Sequence, residues 1–487
     1  MKLIDLLSNI KYNLISESDL NTDVKGISMD SRQDNKSGLF VAVKGVNSDG
    51  HKYINKAIDA GNVCIVLQDI PEVVHPDIIY IQVDDTSKAL GEIAANWYQH
   101  PSKSLKLVGV TGTNGKTTVV TLLYKYFMQS DCKAGLISTV ENKIGDTTIP
   151  STHTTPDSIT LNKLLRQMVD SHCEYVFMEV SSHAMHQNRV YGLHFSGAVF
   201  TNLTHDHLDY HKTFAEYIKA KKSFFDSLPE TAFAVSNIDD KNGTVVLQNT
   251  KAKKYYYSMT SPAEFKGKII EQSLLGMQME INNIDFWTRL IGGFNAYNLL
   301  AVYATLINLG LNKDEVILGI SKLTGAAGRF EMVRGKDDIV AIIDYAHTPD
   351  ALKNVIDTIN DVRTQNEKLI VVFGCGGDRD HDKRPVMGDI ASSLADKVII
   401  TSDNPRSEEP QSIINEILKG VSAKNRDKCL TLVNRREAIQ TAVHLANKGD
   451  VILIAGKGHE KYQEVNGVRN PFDDKVEVEN CLTKNNL

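Results

Sequence analysis

The sequence predicts an α/β protein of three domains, and three observations carry that prediction. Short apolar runs ending in polar or glycine-rich tips recur from Leu105 onward. One of them runs straight into a glycine loop and then a helical stretch, which marks a central P-loop domain built on a parallel sheet. Finally, 487 residues exceed what a single core organises. The expected division is an α/β module over 1–98, the P-loop domain over 99–328, and a doubly wound parallel sheet over 329–487.

In the first module, Asp30-Ser31-Arg32 precedes the turn-rich stretch Gln33 to Gly38. Leu39–Val43 then reads as a strand, Tyr53–Ala60 as a helix and Cys64–Leu67 as a second strand. The module carries no acid–base pair of its own, as expected of a part that binds or positions something. Ser31 and Arg32 read equally as ligand contacts or as a turn-capping serine beside a solvated arginine.

The central domain opens with the apolar run Leu105–Val110, the loop Thr111-Gly112-Thr113-Asn114-Gly115, then Lys116 and a helix from Thr117 to Met128. Loop N–H groups and a helix N-terminus favour anionic oxygens, Lys116 reaches terminal phosphates, and the Thr117 hydroxyl can ligate Mg²⁺. The strict Walker A pattern wants glycine where Val110 stands, so an ordinary strand-to-helix turn is the competing interpretation. Tyr175–Met178 ends in Glu179-Val-Ser-Ser-His183, and Gly197–Phe200 ends in Thr201-Asn-Leu-Thr-His-Asp-His207. Ligands collect at the carboxyl ends of strands in open α/β sheets, so these tips are expected to converge. A carboxylate ending an apolar strand needs a partner or a metal, which makes Glu179 either a Mg²⁺ ligand or a salt-bridged structural group. The cluster His205, His207 and His211 fits no structural zinc spacing, and Mg²⁺ is the simpler ion. Lys251–Tyr257 reads as a solvated edge strand rather than a single-stranded nucleic-acid surface. Asn295 and Asn298 stand where caps are expected for a helix over Leu299–Leu309, and Gly325–Glu331 resembles a hinge.

In the third domain four strands end in chemistry. Ile339–Ile343 leads to Asp344-Tyr-Ala-His347, Leu369–Phe373 to Gly374-Cys-Gly-Gly-Asp-Arg379, Lys397–Ile400 to Asp403-Asn-Pro-Arg406, and Val451–Ala455 to Gly456-Lys-Gly-His-Glu460. Parallel strands place these tips on one rim. Arg379 occupies the last position of a would-be GxGxxG, which weakens a dinucleotide-binding interpretation. Arginines that grip carboxylates and acids such as Asp403 and Glu460 that hold ammonium groups suit a small zwitterion.

Composition narrows the field. A net charge of −6 argues against nucleic acid as a partner. Six cysteines without a CxxC pair fit a reducing compartment. Met1–Ile15 is interrupted by polar residues, and no apolar stretch approaches the roughly 20 residues of a membrane span, so a cytoplasmic protein without membrane association is expected.

Taken together, Thr111-Gly-Thr-Asn-Gly-Lys-Thr-Thr118, Glu179–His183, Asn202–Asp209, Gly328-Arg-Phe-Glu331, Asp344–His347 and Gly456–Glu460 resemble the Mur ligases of bacterial peptidoglycan synthesis, in order along nearly the whole chain. Within that family the chain is similar to the members that add the third amino acid. Asp403-Asn404-Pro405-Arg406 looks like the form that takes meso-2,6-diaminopimelate, since lysine-adding relatives lack the arginine. The resemblance implies an N-terminal UDP-binding domain, a central ATPase and a C-terminal Rossmann-like domain. It implies ATP and Mg²⁺ as cofactors, UDP-N-acetylmuramoyl-L-alanyl-D-glutamate and diaminopimelate as partners, and a monomer.

It also implies residue roles. ATP would lie on Gly112, Thr113, Asn114, Gly115, Lys116, Thr117 and Thr118, with Asn295, Arg329, Asp344 and His347 completing the nucleotide site. Thr117, Glu179, His207 and Lys221 would hold metal, Lys221 as N6-carboxylysine formed with CO₂. A carbamate turns a cation into an oxygen donor for a hard metal. From the residues alone Lys219, Lys221 and Lys222 are indistinguishable. Ser31 would meet the uridine end, near Met29 and the turn Val46-Asn47-Ser48. His153, Thr154, Thr155, Ser181, Gln187 and Arg189 would line the muramoyl dipeptide, with His153 standing where many relatives have asparagine. Arg379, Asp403, Asn404, Pro405, Arg406, Gly456 and Glu460 would receive the amino acid.

The implied reaction forms an acyl phosphate on the D-glutamyl carboxylate and displaces phosphate with an amine. Competing possibilities are the same chemistry with L-lysine or another acceptor, a folylpolyglutamate synthase-like ligase, and a non-enzymatic nucleotide switch.

Overall fold

The structure is a computed structural model that describes every residue except 16–18, 46–47, 131, 152, 205–212, 365 and 485–487. The chain forms two compact units: Met1–Gly267 with Tyr297–Gly319, and Lys268–Ala296 with Ile320–Leu487.

The first unit holds two sheets. The N-terminal one has the strand order Tyr12–Leu14, Ile79–Val83, Asn62–Leu67, Gly38–Val41, Ile27–Ser28, parallel except for its antiparallel edge Tyr12–Leu14. Alternate residues of these strands face opposite sides. Leu39, Val41, Cys64, Val66 and Ile81 pack with Leu90 and Ile93 of the helix Thr86–Trp97. Phe40, Ile65, Leu67 and Tyr80 pack with Ile54 and Ala57 of the helix Ile54–Asp59. Asp85 caps the longer helix by accepting from the Ser87 and Lys88 amides, the ordinary way to satisfy free N–H groups at a helix start.

In the second sheet of this unit, Lys253–Ser258, Phe233–Asn237, Gly197–Phe200, Lys106–Thr111, Tyr175–Glu179 and Ala134–Ile137 run parallel in that spatial order, and Glu141–Ile144 and Thr147–Pro150 continue antiparallel. Lys106–Thr111 sits between Tyr175–Glu179 and Gly197–Phe200, with Val110 opposite Glu179 and Thr111 opposite Phe200. The three polar tips anticipated from the sequence therefore lie side by side. One expectation is corrected: Lys253–Ser258 is not an edge, because it pairs with Phe233–Asn237 on one side and with Phe265 and Lys266 on the other. Its inner residues Tyr257 and Ser258 are buried accordingly.

The second unit is centred on a six-stranded sheet of order Glu331–Arg334, Val340–Asp344, Val451–Ala455, Leu369–Phe373, Lys397–Thr401, Cys429–Leu432. All neighbours are parallel except the first pair. Helices cover both faces. Val371, Phe373, Ile400 and Leu453 pack with Leu352, Ile356 and Met387 on one side, and Ile370, Val372, Ile399 and Ile452 pack with Ile439, Val443 and Val478 on the other. This is a doubly wound sheet, and its four inner strands deliver their carboxyl ends to one rim. The helix Gly293–Asn308 begins before Asn295 and Asn298, so Asn295 is a first-turn residue and Asn298 a second-turn residue, and neither is a cap. Asn295 bonds back to the Ile291 carbonyl at 2.9 Å.

Candidate active site

The loop at the centre of the first unit is shaped by its glycines. Gly112 and Gly115 have φ of +148° and +87°, which side-chain-bearing residues rarely adopt. A β-carbon at Gly115 would stand 2.5 Å from Asn298 Oδ1, and one at Gly112 would collide with Thr201 Oγ1. The tip of Gly197–Phe200 clasps the loop from outside. Thr201 Oγ1 donates to the Asn114 carbonyl at 2.6 Å, the Asn114 amide donates to Asn202 Oδ1 at 3.0 Å, and the Thr113 amide to the Asn202 carbonyl at 2.8 Å. The helix Lys116–Met128 follows directly and aims its first turn at the same place.

Four chemically active side chains gather here: Thr117, Glu179, Lys221 and Lys116. The Thr117 hydroxyl donates to Glu179 Oε1 at 2.9 Å, and the Thr139 amide donates to the same oxygen at 2.8 Å. Glu179 is 1% exposed, so its carboxylate is held by neutral donors in a nearly dry site. Lys221 is equally buried; its Nζ donates to the Gly112 carbonyl at 2.8 Å and lies 4.7 Å from the Tyr217 ring centre. Lys116 Nζ donates to that same Gly112 oxygen at 2.9 Å and to the Thr113 oxygen at 2.8 Å. Two lysine amines thus converge on one carbonyl at the base of the phosphate loop. Of the three lysines the sequence left indistinguishable, Lys221 turns inward, whereas Lys222 pairs with Asp226 at 2.7 Å.

Beside Glu179 lies a second cluster. Thr155 Oγ1 donates to the Glu179 carbonyl at 2.8 Å and accepts from the Ser181 amide at 3.1 Å. Arg189 donates to the Thr155 carbonyl at 2.7 Å and to Gln187 Oε1 at 2.7 and 3.0 Å. Thr154 accepts from Thr139 Oγ1 at 3.0 Å, while His153 is exposed. Thr154, Thr155, Ser181, Gln187 and Arg189 are therefore brought together with Glu179. His205, His207 and His211 lie outside the described residues, as do Val46 and Asn47. Met29 is 41% exposed, and Ser48 Oγ lies 3.4 Å from the Tyr53 hydroxyl. Arg32 donates to both Asp30 oxygens at 2.8 Å, holding that carboxyl at about 2, so its guanidinium is engaged within its own turn.

The second unit carries its own cluster at the rim. Asp344 is buried; burial pushes its carboxyl up to about 6 against the pull of the Arg329 charge and the Phe330 and Ala346 amides. The Phe330 amide donates to Asp344 Oδ2 at 2.7 Å. The Arg329 guanidinium stacks 4.6 Å over the Tyr345 ring, which lies 4.6 Å from His347 and 4.9 Å from His459. Burial, with the Arg329, His347 and Lys457 charges, lowers His459 to about 4.

Farther along the rim, Arg406 Nη1 donates to the Gly377 carbonyl at 2.6 Å from a backbone with φ +52°. Asn404 Nδ2 donates to Glu460 Oε2 at 2.8 Å. The Gly377 amide donates to the Asn404 carbonyl at 2.9 Å, and a β-carbon at Gly456 would stand 2.5 Å from Asp403 Oδ2. The structure thus joins Asp403–Arg406, Gly456 and Glu460, with Pro405 packed against Gly377 and Arg379 exposed next to Gly376. The sequence reading missed Tyr345, His459, Lys457 and Arg384. Three sat inside quoted motifs without a role. Arg384 is fully buried and donates to Glu408, Glu416 and the Gly376 carbonyl, with no sequence signal beyond its neighbours.

Known proteins match along this whole arrangement. The family model described as Mur ligase family, catalytic domain, matches residues 23–98; Mur ligase middle domain matches 110–306; and Mur ligase, glutamate ligase domain, matches 328–458. The UDP-N-acetylmuramoyl-L-alanyl-D-glutamate--2,6-diaminopimelate ligase of Cytophaga hutchinsonii is 54% identical over 484 residues, covering 99% of each chain. The protein of the same name from Phocaeicola vulgatus is 52% identical over 475 residues, covering 98% of each. A solved structure of a ligase with that name is 30% identical, covers 99% of both chains and superposes with a TM-score of 0.72. With family models over all three sheets and relatives matched from end to end, the chain belongs to the Mur ligase family.

Proposed function

We propose that the chain is an ATP-dependent amide-forming ligase that adds meso-2,6-diaminopimelate to UDP-N-acetylmuramoyl-L-alanyl-D-glutamate, in peptidoglycan synthesis. The observation that carries the reading is the phosphate loop whose Thr117 hydroxyl bonds the buried Glu179 carboxylate, with Lys116 and Lys221 meeting on Gly112. Relatives that are 50–54% identical across the chain bear the name of this ligase.

The D-glutamyl γ-carboxylate attacks the γ-phosphorus of ATP, ADP leaves, and an acyl phosphate forms. The diaminopimelate amine then attacks the acyl carbon and inorganic phosphate leaves. Loop amides and Lys116 offset the charge on the transferred phosphoryl group, and Arg329, Asp344, His347 and Asn295 are assigned to the nucleotide. Thr154, Thr155, Ser181, Gln187 and Arg189, with His153 at the edge, are assigned to the muramoyl dipeptide, and Ser31, Met29 and the turn 46–48 to its uridine end. Thr117 and Glu179 supply the hard oxygen donors that suit Mg²⁺, an ion that keeps waters and takes phosphate oxygens, and His207 and a carboxylated Lys221 would join them. When bound, Mg²⁺ would neutralise phosphate charge.

Arg406 is the residue assigned to the distal carboxylate of diaminopimelate, while Asp403 and Glu460 take ammonium groups. Lysine lacks that carboxylate, and a desolvated charge pair of this kind supports a preference of about 100-fold. The domain boundaries proposed are 1–98, 99–328 and 329–487. A cytoplasmic monomer fits the reading; among the described residues no helix is long and apolar enough to cross a membrane. Phosphate release measured with each amino acid, with and without the UDP-muramoyl dipeptide, is the test. Release that needs both substrates is expected; release without the dipeptide, or none with any acceptor, rejects the proposal.

A further inference from the structure

Lys457 follows the strand Val451–Ala455 by two residues and is fully buried. A buried ammonium is costly unless paired and hydrogen-bonded. Its Nζ donates to Asn404 Oδ1 at 2.9 Å and to Glu460 Oε2 at 3.1 Å, and it lies 5.5 Å from the Tyr462 ring centre. Asn404 Oδ1 also accepts from the Glu464 amide at 2.9 Å, and Asn404 Nδ2 donates to Glu460 Oε2 at 2.8 Å.

This network fixes two groups at once. Two obligate donors, the Lys457 ammonium and the Glu464 N–H, meet at Asn404 Oδ1. The amide can therefore face them only with its oxygen, which sends its NH₂ toward Glu460. Glu460 Oε2 is then occupied by Lys457 and Asn404 together. Oε2 is thereby held in place, and Oε1 is the oxygen that these two donors do not take.

We propose that Lys457 is a positioning residue for the amino-acid acceptor: it orients Asn404 and Glu460 without touching the substrate. The inference rests on the acceptor site proposed above. Without the ammonium, Glu460 Oε2 loses one of its two donors while the Glu464 N–H still holds the Asn404 amide, so the acceptor meets a less firmly held carboxylate. The nucleotide and the muramoyl dipeptide are assigned to other groups and are unaffected.

The test is steady-state kinetics on the full chain with Lys457→Met, Lys457→Gln, Glu460→Gln and the double variant Lys457→Met/Glu460→Gln, alongside thermal midpoints. Losing a hydrogen bond from a charged group predicts a rise of about tenfold or more in the KM for meso-diaminopimelate in Lys457→Met. The KM values for ATP and for the UDP-muramoyl dipeptide stay within about twofold. The double variant is no worse than Glu460→Gln alone, because both changes act through one carboxylate. Lys457→Gln is measured in the same way should Lys457→Met not fold. An unchanged acceptor KM in a folded variant overturns the inference, as do losses spread equally over all three substrates, additive effects in the double variant, or failure of both single Lys457 variants to fold. A wild-type chain that uses no amino acid rejects the functional reading itself, which separates that failure from this one.

Discussion

Asp344, buried, and His459, half-buried, are titratable residues of the second unit whose contributions to stability respond to acid in opposite directions. Asp344, lifted from 3.8 to about 6 by burial, binds its proton more tightly folded than unfolded. Its stabilising contribution is complete below its unfolded value and is lost as pH rises through 6. His459, lowered from 6.5 to about 4, gives a contribution that is complete above 6.5 and lost as pH falls toward 4. Across that window the two slopes oppose each other. Asp344→Asn should therefore steepen the loss of stability on acidification, and His459→Gln should make stability rise on acidification, each by up to roughly 3 kcal/mol. Urea unfolding at pH 4.5 and 7.5 measures both; slopes parallel to wild type would contradict the assignment. Such residues were unevenly legible. Glu179 stood out because a carboxylate at the end of an apolar strand demands a partner. His459 and Lys457 did not, because a histidine or lysine after a glycine is ordinarily solvated, and only the packing of Tyr345, Tyr462 and Asn404 encloses them.

At the scale of elements, the phosphate loop works because its backbone enters conformations that side chains resist. Gly115→Ala should cost about 1 kcal/mol from its positive φ, with a further cost from the approach to Asn298 Oδ1. It should raise the KM for ATP about tenfold or more while the fold survives. ATP kinetics and a thermal midpoint check this, and an unaltered KM would show that the loop tolerates a β-carbon. Strands of this kind were the most legible elements. Leu369–Phe373 and Val451–Ala455 match their apolar runs residue for residue, since an interior parallel strand is buried on both faces. Edge strands such as Glu331–Arg334 and Cys429–Leu432 were missed, because they mix exposed and half-buried positions and carry no run to detect. Lys253–Ser258 was misplaced at an edge for the converse reason: its lysines are exposed, yet its backbone is paired on both sides.

At the scale of the molecule, the three larger sheets carry the α/β architecture expected from the recurring strand tips, and a family model matches residues in each of them. The grouping of Lys268–Ala296 with the third sheet was invisible in the sequence. It arises from packing such as Ile291 within the core around Phe330 and Leu352, and no local pattern encodes a contact with residues so far along the chain. The central claim is that this fold carries out a ligation selective for a dicarboxylate diamine, and the identity of the product tests it most directly. The chain is given ATP, Mg²⁺, the UDP-muramoyl dipeptide and equimolar meso-diaminopimelate and L-lysine, and the product mass is read for wild type and Arg406→Ala. The account predicts the diaminopimelate adduct from wild type in excess of about 100 to one. It predicts loss of that adduct in Arg406→Ala with ATP binding retained. A lysine adduct from wild type, no adduct at all, or undiminished diaminopimelate incorporation by Arg406→Ala would contradict it.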